Sequence, residues 1–376
     1  MNGWSAATAQ AEGRGRPVAA FLVPSLAMGG GERISIALAQ ELVGQGVDVD
    51  LVVGDGRGPL RAEVPREVNL VDLRAPRLRS AGPALVRYLR SRRPGALVPT
   101  VEHASLLALA AGRVTGTPVV VRVANTLSLL DERSSSRKDR LVLAAARRLY
   151  RRADALVACS EGMADDLADY CGLPREEIRV IPNPTVGREV RTRAAEQLDH
   201  PWFQPGEPPV VLGVGRLSPQ KNFPLLLEAF ARLETPARLV VLGEGPERAA
   251  LEAKAQELGL ADRVDLPGMD PNPYRYFARA AVFALSSSWE GLPGALIEAV
   301  ACGCDVVATD CPSGPREILR GGELGRLVPV DDPAALAEAL DERLGAAERI
   351  DPSEAAPYHA DVVATRYLEV LKEVAS

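Results

Sequence analysis

Short apolar runs alternate with amphipathic stretches along this 376-residue chain, and that rhythm limits the fold more than any other feature. Strand-like runs fall at Val18–Val23, Val47–Val53, Ala96–Pro99, Val119–Val123, Ala155–Ala158 and Ile178–Ile181. Helix-like segments separate them at Glu32–Val43, Pro83–Arg92, Ala104–Arg113, Arg137–Arg152 and Glu161–Tyr170. A run that is apolar on both faces suits the interior of a parallel sheet, and parallel strands need crossover helices. Pro182-Asn183-Pro184 then interrupts the pattern, and Pro201, Pro205, Pro208 and Pro209 follow. The rhythm restarts with strands at Val210–Val214, Leu239–Leu242, Val264–Leu266, Val282–Leu285 and Asp305–Thr309. Helices are predicted between them at Phe223–Leu233, Glu247–Leu258, Tyr274–Ala280 and Pro293–Ala301, with a helical end from Pro333. The expectation is an α/β protein of two Rossmann-like domains. Residues 1–16 read as a disordered tail, 17–184 as the first domain, 185–208 as a linker, 209–352 as the second domain and 353–376 as a final helix.

Charge divides along the same boundary. Residues 1–185 hold 25 Lys+Arg against 20 Asp+Glu, whereas residues 186–376 hold 19 against 30. A basic half beside an acidic half fits two domains with different partners. The net charge of −6 carries no general nucleic-acid signature. Five cysteines without a Cys-x-x-Cys pair read as small buried thiols of a reducing compartment, hence a cytoplasmic location. No uncharged apolar run is long enough to span a bilayer. The segment from Val18 to Met28 follows Arg14 and Arg16 but runs into Gly29-Gly30-Gly31 and an amphipathic helix, unlike a signal peptide.

The strongest local pattern is Ser286-Ser287-Ser288-Trp289-Glu290-Gly291-Leu292-Pro293-Gly294-Ala295-Leu296-Ile297-Glu298. It follows an apolar strand, and Pro293 suits the first position of a helix. The N–H groups of Gly294, Ala295 and Leu296 would then face outward from a positive helix end, where an anion binds. Glu290 and Glu298 flank that end, and carboxylates so placed can accept paired hydrogen bonds from vicinal hydroxyls. A helix with ordinary exposed acids would show the same spacing. Gly29-Gly30-Gly31 opens the first helix and allows close backbone approach to a phosphate or sugar.

These residues resemble the retaining glycosyltransferases of family 4, with the GT-B fold and a Glu-x7-Glu motif at Glu290 and Glu298. Gly215-Arg216-Leu217 with Lys221, Gly243-Glu244-Gly245-Pro246, Thr309 to Ile318 and Gly325-Arg326-Leu327-Val328-Pro329 extend the resemblance in order across residues 210–340. It implies two Rossmann-like domains facing a cleft, with the C-terminal helix crossing back to the first. It implies that Arg216 and Lys221 bind a donor diphosphate, that Glu298 holds the ribose and that Glu290 touches the transferred sugar. Gly29 and Gly30 would lie over the donor phosphate, and His103 beside the sugar. The implied reaction keeps the donor's anomeric configuration and moves a hexose or hexosamine from a nucleotide-diphosphate sugar, with UDP as the default. The acceptor would be a glycan, lipid-linked or small-molecule hydroxyl, in polysaccharide or natural-product biosynthesis. No cofactor and no obligate metal are implied, because Arg and Lys would stabilise the leaving group.

Other readings stay open. A nucleotide-sugar epimerase would use the same fold, and so would a catalytically silent nucleotide-sugar-binding subunit. Asp48-Val49-Asp50 has the spacing of a metal motif but alternates through an early strand, which reads as sheet surface. The Gly213-x-Gly215 pattern lacks a third glycine and argues against a dinucleotide site. The basic stretches Arg74–Arg93 and Arg137–Arg152 read either as solvated helix faces or as a contact for an anionic membrane or acceptor. His200 and His359 read as surface residues.

Overall fold

Each apolar run of the first half becomes a parallel strand with buried faces. The order is β1 (Ala19–Ser25), α1 (Gly30–Gly44), β2 (Val49–Asp55), β3 (Asn69–Asp72), α2 (Gly82–Arg92), β4 (Ala96–Pro99), α3 (Glu102–Thr115) and β5 (Val120–Val123). Then come α4 (Leu127–Arg133), α5 (Arg137–Leu149), β6 (Ala155–Ala158), α6 (Glu161–Cys171) and β7 (Ile178–Val180). This computed structural model describes residues 19–27, 29–75, 77–134, 136–346 and 348–376. The predicted tail and Val18 lie outside them.

The chain divides into two units, 1–184 with 360–376, and 185–359. In the first, β3-β2-β1-β4 and β5-β6-β7 pair in parallel. A parallel bridge between Leu97 and Val119 joins the two sets. Strand order therefore reverses once, between β1 and β4, and the carboxyl ends of these strands lie at a switch point, where ligands of such sheets bind.

The second unit runs α7 (Val190–Ala194), β8 (Val210–Val214), α8 (Phe223–Phe230), β9 (Arg238–Leu242), α9 (Arg248–Glu257), β10 (Val264–Gly268), α10 (Tyr274–Phe277) and β11 (Val282–Leu285). α11 (Gly294–Ala301), β12 (Asp305–Thr309), α12 (Pro315–Ile318), β13 (Arg326–Val328) and α13 (Pro333–Ala346) complete it. Its sheet is β10-β9-β8-β11-β12-β13, parallel throughout, and reverses between β8 and β11.

α14 (Ala360–Ala375) ends the chain on the first unit. It packs on α1, where Val363, Tyr367 and Leu371 share a core with Leu38 and Leu42. Residues 353–359, expected in this helix, stay with the second unit, and Ala355 is wholly buried there. The stretch 185–208, expected as a linker, also belongs to that unit. Val186, Val190 and Leu198 enter its core, so the apolar residues among the prolines are anchors. β3 and β13 escape the sequence pattern because they are short edge strands with few buried side chains.

Asp50 corrects the expectation of sheet surface. Its side chain is 1% exposed, and both oxygens are used. Asn69 Nδ2 donates to Oδ1 at 2.8 Å, Tyr88 Oη to Oδ2 at 2.7 Å, and Arg92 Nε to Oδ2 at 3.2 Å. A buried carboxylate persists only when paired and hydrogen-bonded. Here β2, β3 and α2 supply the partners, and Arg92 of the basic helix α2 serves the core. Asp50→Ala would leave Arg92 and Tyr88 without that partner and should lower stability by about 3–5 kcal/mol. Asp50→Asn, which keeps an acceptor, should cost less. Chemical denaturation followed by circular dichroism checks both, and an unchanged midpoint for Asp50→Ala would contradict this account.

Candidate active site

At the switch point of the second unit, two loops are fastened to each other. The loop after β8 carries Gly215, Arg216 and Lys221, and the loop after β11 carries Ser286 to Pro293. Ser286 Oγ donates to Lys221 O at 2.9 Å, Ser288 N–H to Gln220 O at 2.9 Å and Gln220 Nε2 to Trp289 O at 3.0 Å. Asn222, in the left-handed region with φ 46°, donates through Nδ2 to Ser288 Oγ and Asp331 Oδ1. From below, Thr309 Oγ1 of β12 donates to Ser287 O at 2.6 Å.

The Gly243-x-Gly245 turn fixes the first loop from its other side. Gly215 N–H donates to Leu242 O at 2.9 Å, and Leu217 N–H to Glu244 O at 3.0 Å. A Cβ at Gly243 would stand 1.8 Å from Gly215 O, and one at Gly245 would stand 2.2 Å from Leu217 O. Only glycine permits this backbone contact, which leaves Arg216 displayed on a rigid loop with an exposed side chain. No hydrogen bond or ion pair engages the Arg216 guanidinium among the described residues.

Lys221 and Glu290 come together. Lys221 Nζ donates to Glu290 Oε1 at 2.6 Å, and Ser287 Oγ donates to the same oxygen at 2.6 Å. Both side chains are largely withdrawn from water, at 18% and 7% exposure. An ammonium has three donors, so the pair leaves Lys221 able to serve other oxygens. Ser287 was not singled out by sequence reasoning, although a hydroxyl three residues before the motif's first glutamate was a visible signal.

α11 begins one residue later than predicted, because Pro293 is its N-cap. Leu296 N–H donates to Pro293 O at 3.1 Å, so the outward-facing donors are Gly294 and Ala295, and Leu296 is not among them. No side chain caps this end. Further along the helix, Tyr274 Oη donates to Glu298 Oε1 at 3.3 Å, and the Arg193 guanidinium lies 5.1 Å from the Tyr274 ring centroid. Loss of water pushes the Glu298 carboxyl up to about 7, while Tyr274 and Arg193 pull it the other way. Sequence reasoning missed Arg193 and Tyr274, since one sat in the expected linker and the other only opened a predicted helix, Tyr274–Ala280.

The first unit holds the remaining predicted residues. α1 starts at Gly30 with Gly29 as its N-cap, directly after β1. A Cβ on Gly29 would meet Glu32 Oε2 at 2.1 Å, so the room left by the glycine is filled by this chain's own carboxylate. His103 lies in the first turn of α3 after β4, exposed, with Nε2 3.9 Å from Asp139 Oδ1. His200, read as a surface residue, is instead buried at 6% exposure. Its Nδ1 accepts from Trp202 N–H, which leaves the hydrogen on Nε2 facing Asp265 Oδ2 at 3.1 Å.

Burial pushes the thiols of Cys302, Cys304 and Cys311 up to about 12 and Cys171 to about 11, which makes them inert packing groups. Among the described residues no cluster of His, Cys, Asp or Glu has the makings of a metal site, and no helix is long and apolar enough to cross a membrane.

Known proteins share this architecture. The family model "Glycosyltransferase Family 4" matches residues 28–185, and "Glycosyl transferases group 1" matches 195–351. The chain is 30% identical to the lipopolysaccharide core biosynthesis glycosyltransferase LpsE of Rhizobium meliloti, over 91% of this chain and 96% of that protein. It is 37% identical to N-acetylgalactosamine-N,N'-diacetylbacillosaminyl-diphospho-undecaprenol 4-alpha-N-acetylgalactosaminyltransferase of Campylobacter jejuni, over 51% of each chain. The solved lipopolysaccharide outer core galactosyltransferase WaaB superposes with a TM-score of 0.73 at 19% identity, over 94% of this chain and 99% of that one. Anabaena HepE in complex with UDP-glucose superposes with 0.70 at 18% identity, over 95% and 98%. Two parallel sheets with their switch-point loops, two consecutive family matches and near full-length identity to LpsE place this chain among the family 4 glycosyltransferases of GT-B fold.

Proposed function

We propose that this glycosyltransferase is a retaining, metal-independent enzyme that moves a hexose or hexosamine from a nucleotide-diphosphate sugar, UDP-linked by default, to an acceptor hydroxyl. The observation that carries the reading is the second unit's switch point, where Arg216, the Lys221–Glu290 pair and the open N–H groups of α11 share one pair of loops. A departing diphosphate gains negative charge in the transition state, and fixed cations and amides are worth most there. Lys221 and Arg216 hold that charge, with Gly294 and Ala295 N–H as further donors. Glu298 accepts ribose hydroxyls, and Glu290 contacts the transferred sugar.

Glu290 Oε1 receives Lys221 and Ser287, which ties the carboxylate to the cation that meets the leaving group and leaves Oε2 for a sugar hydroxyl. In this mechanism the acceptor oxygen attacks the anomeric carbon from the face the diphosphate leaves. The acceptor's proton passes to a departing phosphate oxygen. The acceptor belongs to the first unit, and His103 faces the sugar. Gly29 and Gly30 meet the donor phosphate once Glu32 turns away. Relatives named for lipopolysaccharide core and undecaprenol-linked glycans, together with a UDP-glucose complex, support a surface-glycan role and a UDP donor. The basic faces of α2 and α5 would hold the enzyme peripherally on an anionic membrane from the cytoplasmic side.

Two experiments test this reading. UDP-sugars, with chelator present, should raise the melting temperature, since a ligand stabilises the state that binds it. Arg216→Ala and Lys221→Ala should each lower kcat about a hundredfold or more, as for loss of one charge-stabilising donor. Transfer yielding the inverted anomer by proton NMR, or full activity in both variants, would overturn the mechanism; donor isomerisation alone would identify an epimerase instead.

Glu298 supplies a second prediction. Its carboxyl rises from about 4.5 unfolded to about 7 folded, so between those values the folded state holds a proton that the unfolded state has lost. Stability then falls as pH rises through this window. Glu298→Gln should therefore melt higher than the parent, by a margin that grows from about pH 5 to about pH 7 and then levels off. The same variant should bind donor more weakly. A margin that is flat with pH would refute the assignment.

A further inference from the structure

The first unit contains a cavity of 490 Å³. It lies at the carboxyl ends of β1 and β4, where strand order reverses: Pro24 near the end of β1 and Val101 just after β4 line it. Its apolar wall includes Leu107, and its basic lining is Arg77, Arg79 and Lys138 with His103 beside them, with no carboxylate among the lining residues. The charged ends of Arg77, Arg79 and Lys138 have no hydrogen bond or ion pair among the described residues. Elsewhere in this unit several arginines are neutralised, as Arg92 is by Asp50 and Arg175 by Glu161 and Asp165.

Lys138 sits in the first turn of α5 beside Arg137 and Asp139, and Ser136 Oγ caps that end by accepting from Asp139 N–H. On its other side His103 lines a second cavity, of 380 Å³, with Glu102, Asn125, Arg133 and Asp139. The first cavity is thus lined by basic groups without a carboxylate, and the second by a mixed set able to bind hydroxyls.

We infer that the cavity of Arg77, Arg79 and Lys138 binds a phosphate group carried by the acceptor, and that the acceptor is a phosphorylated saccharide whose hydroxyls occupy the neighbouring cavity. This inference rests on the glycosyl-transfer reading above. A phosphate oxygen receives charge-assisted hydrogen bonds from guanidinium and ammonium groups alike, and here those groups stand exposed and open to it. The phosphate can belong to a free sugar phosphate or to a lipid-linked one, and the chemistry of recognition is the same.

The test uses the full chain with UDP at saturation, so that the donor site is filled. Glucose 6-phosphate should then raise the melting temperature further, and glucose should not. In a parallel arm, phosphatidylcholine vesicles containing a polyprenyl phosphate should retain the protein in co-sedimentation where plain phosphatidylcholine vesicles do not. A response in the first arm identifies a free acceptor, a response in the second a lipid-linked one, and either supports the subsite. Arg77→Gln with Arg79→Gln and Lys138→Gln should weaken that response about tenfold or more, while the UDP shift stays at the parent's value and shows the fold intact. Single Lys138→Gln, the mildest change, should weaken it in part. A UDP shift with no response in either arm, or a response that survives the triple variant, overturns the inference and leaves the donor reading standing. Loss of the UDP shift in the parent protein would instead count against the donor reading itself.

Discussion

A parallel strand cannot be reached by a tight hairpin, and this requirement shapes the molecule. Every strand must be entered through a crossover, so all carboxyl ends of a sheet gather on one edge and the loops leaving them are neighbours. Each sheet here reverses its order once, β1 against β4 and β8 against β11. At a reversal the two adjacent crossovers run to opposite sides, and the strand ends between them are left uncovered. The chemically able residues collect there: Arg216, Lys221 and Glu290 in one unit, and Gly29, Gly30 and His103 in the other.

Holding such residues out of a sheet requires loops that do not move, and the second unit achieves this with backbone. The Gly243-x-Gly245 turn lies against the Gly215 loop at distances that exclude any side chain, and Asn222 and Ser286 bind the β8 and β11 loops to each other. Lys221 and Glu290 then meet at 2.6 Å in a largely dry setting. A pair so withdrawn adds little net stability, because desolvation offsets the attraction. Its value lies in position: each charge orients the other, and the ammonium is held in place before any ligand arrives.

Much of this was legible in the sequence. Long buried strands such as Phe21 to Val23 and Val210 to Leu212 announce themselves, since a fully apolar run has few alternatives. The Glu290 to Glu298 spacing and the Arg216–Lys221 loop were readable through resemblance, and the Lys221–Glu290 contact follows their strand ends. What escaped was whatever depends on tertiary partners. The alternation around Asp50 looked like a wet sheet face, and nothing local revealed that Tyr88, Asn69 and Arg92 would converge on it. Residues 185–208 looked like a linker because proline and charge dominate them. Val186, Val190 and Leu198 bury themselves all the same, and Arg193 reaches Tyr274. His200 failed for the same reason, its site being made by Trp202, Phe203, Tyr276 and Asp265.

The ionisable groups of this chain divide by whether folding has already supplied a partner. Asp50 is matched on both oxygens by three side chains, and Asp305 by two bonds from Arg343 at 2.7 Å. Such groups gain nothing from a ligand and hold elements together. Glu298 has one hydrogen bond at 3.3 Å, and its carboxyl is pushed up to about 7. Arg216 has no ionic partner among the described residues. An incompletely matched group withdrawn from water, such as Glu298, costs stability in the empty protein, whereas the exposed Arg216 costs little and stays open to an anion. Core and site therefore differ less in residue type than in the completeness of pairing, and incompleteness is what a substrate can use.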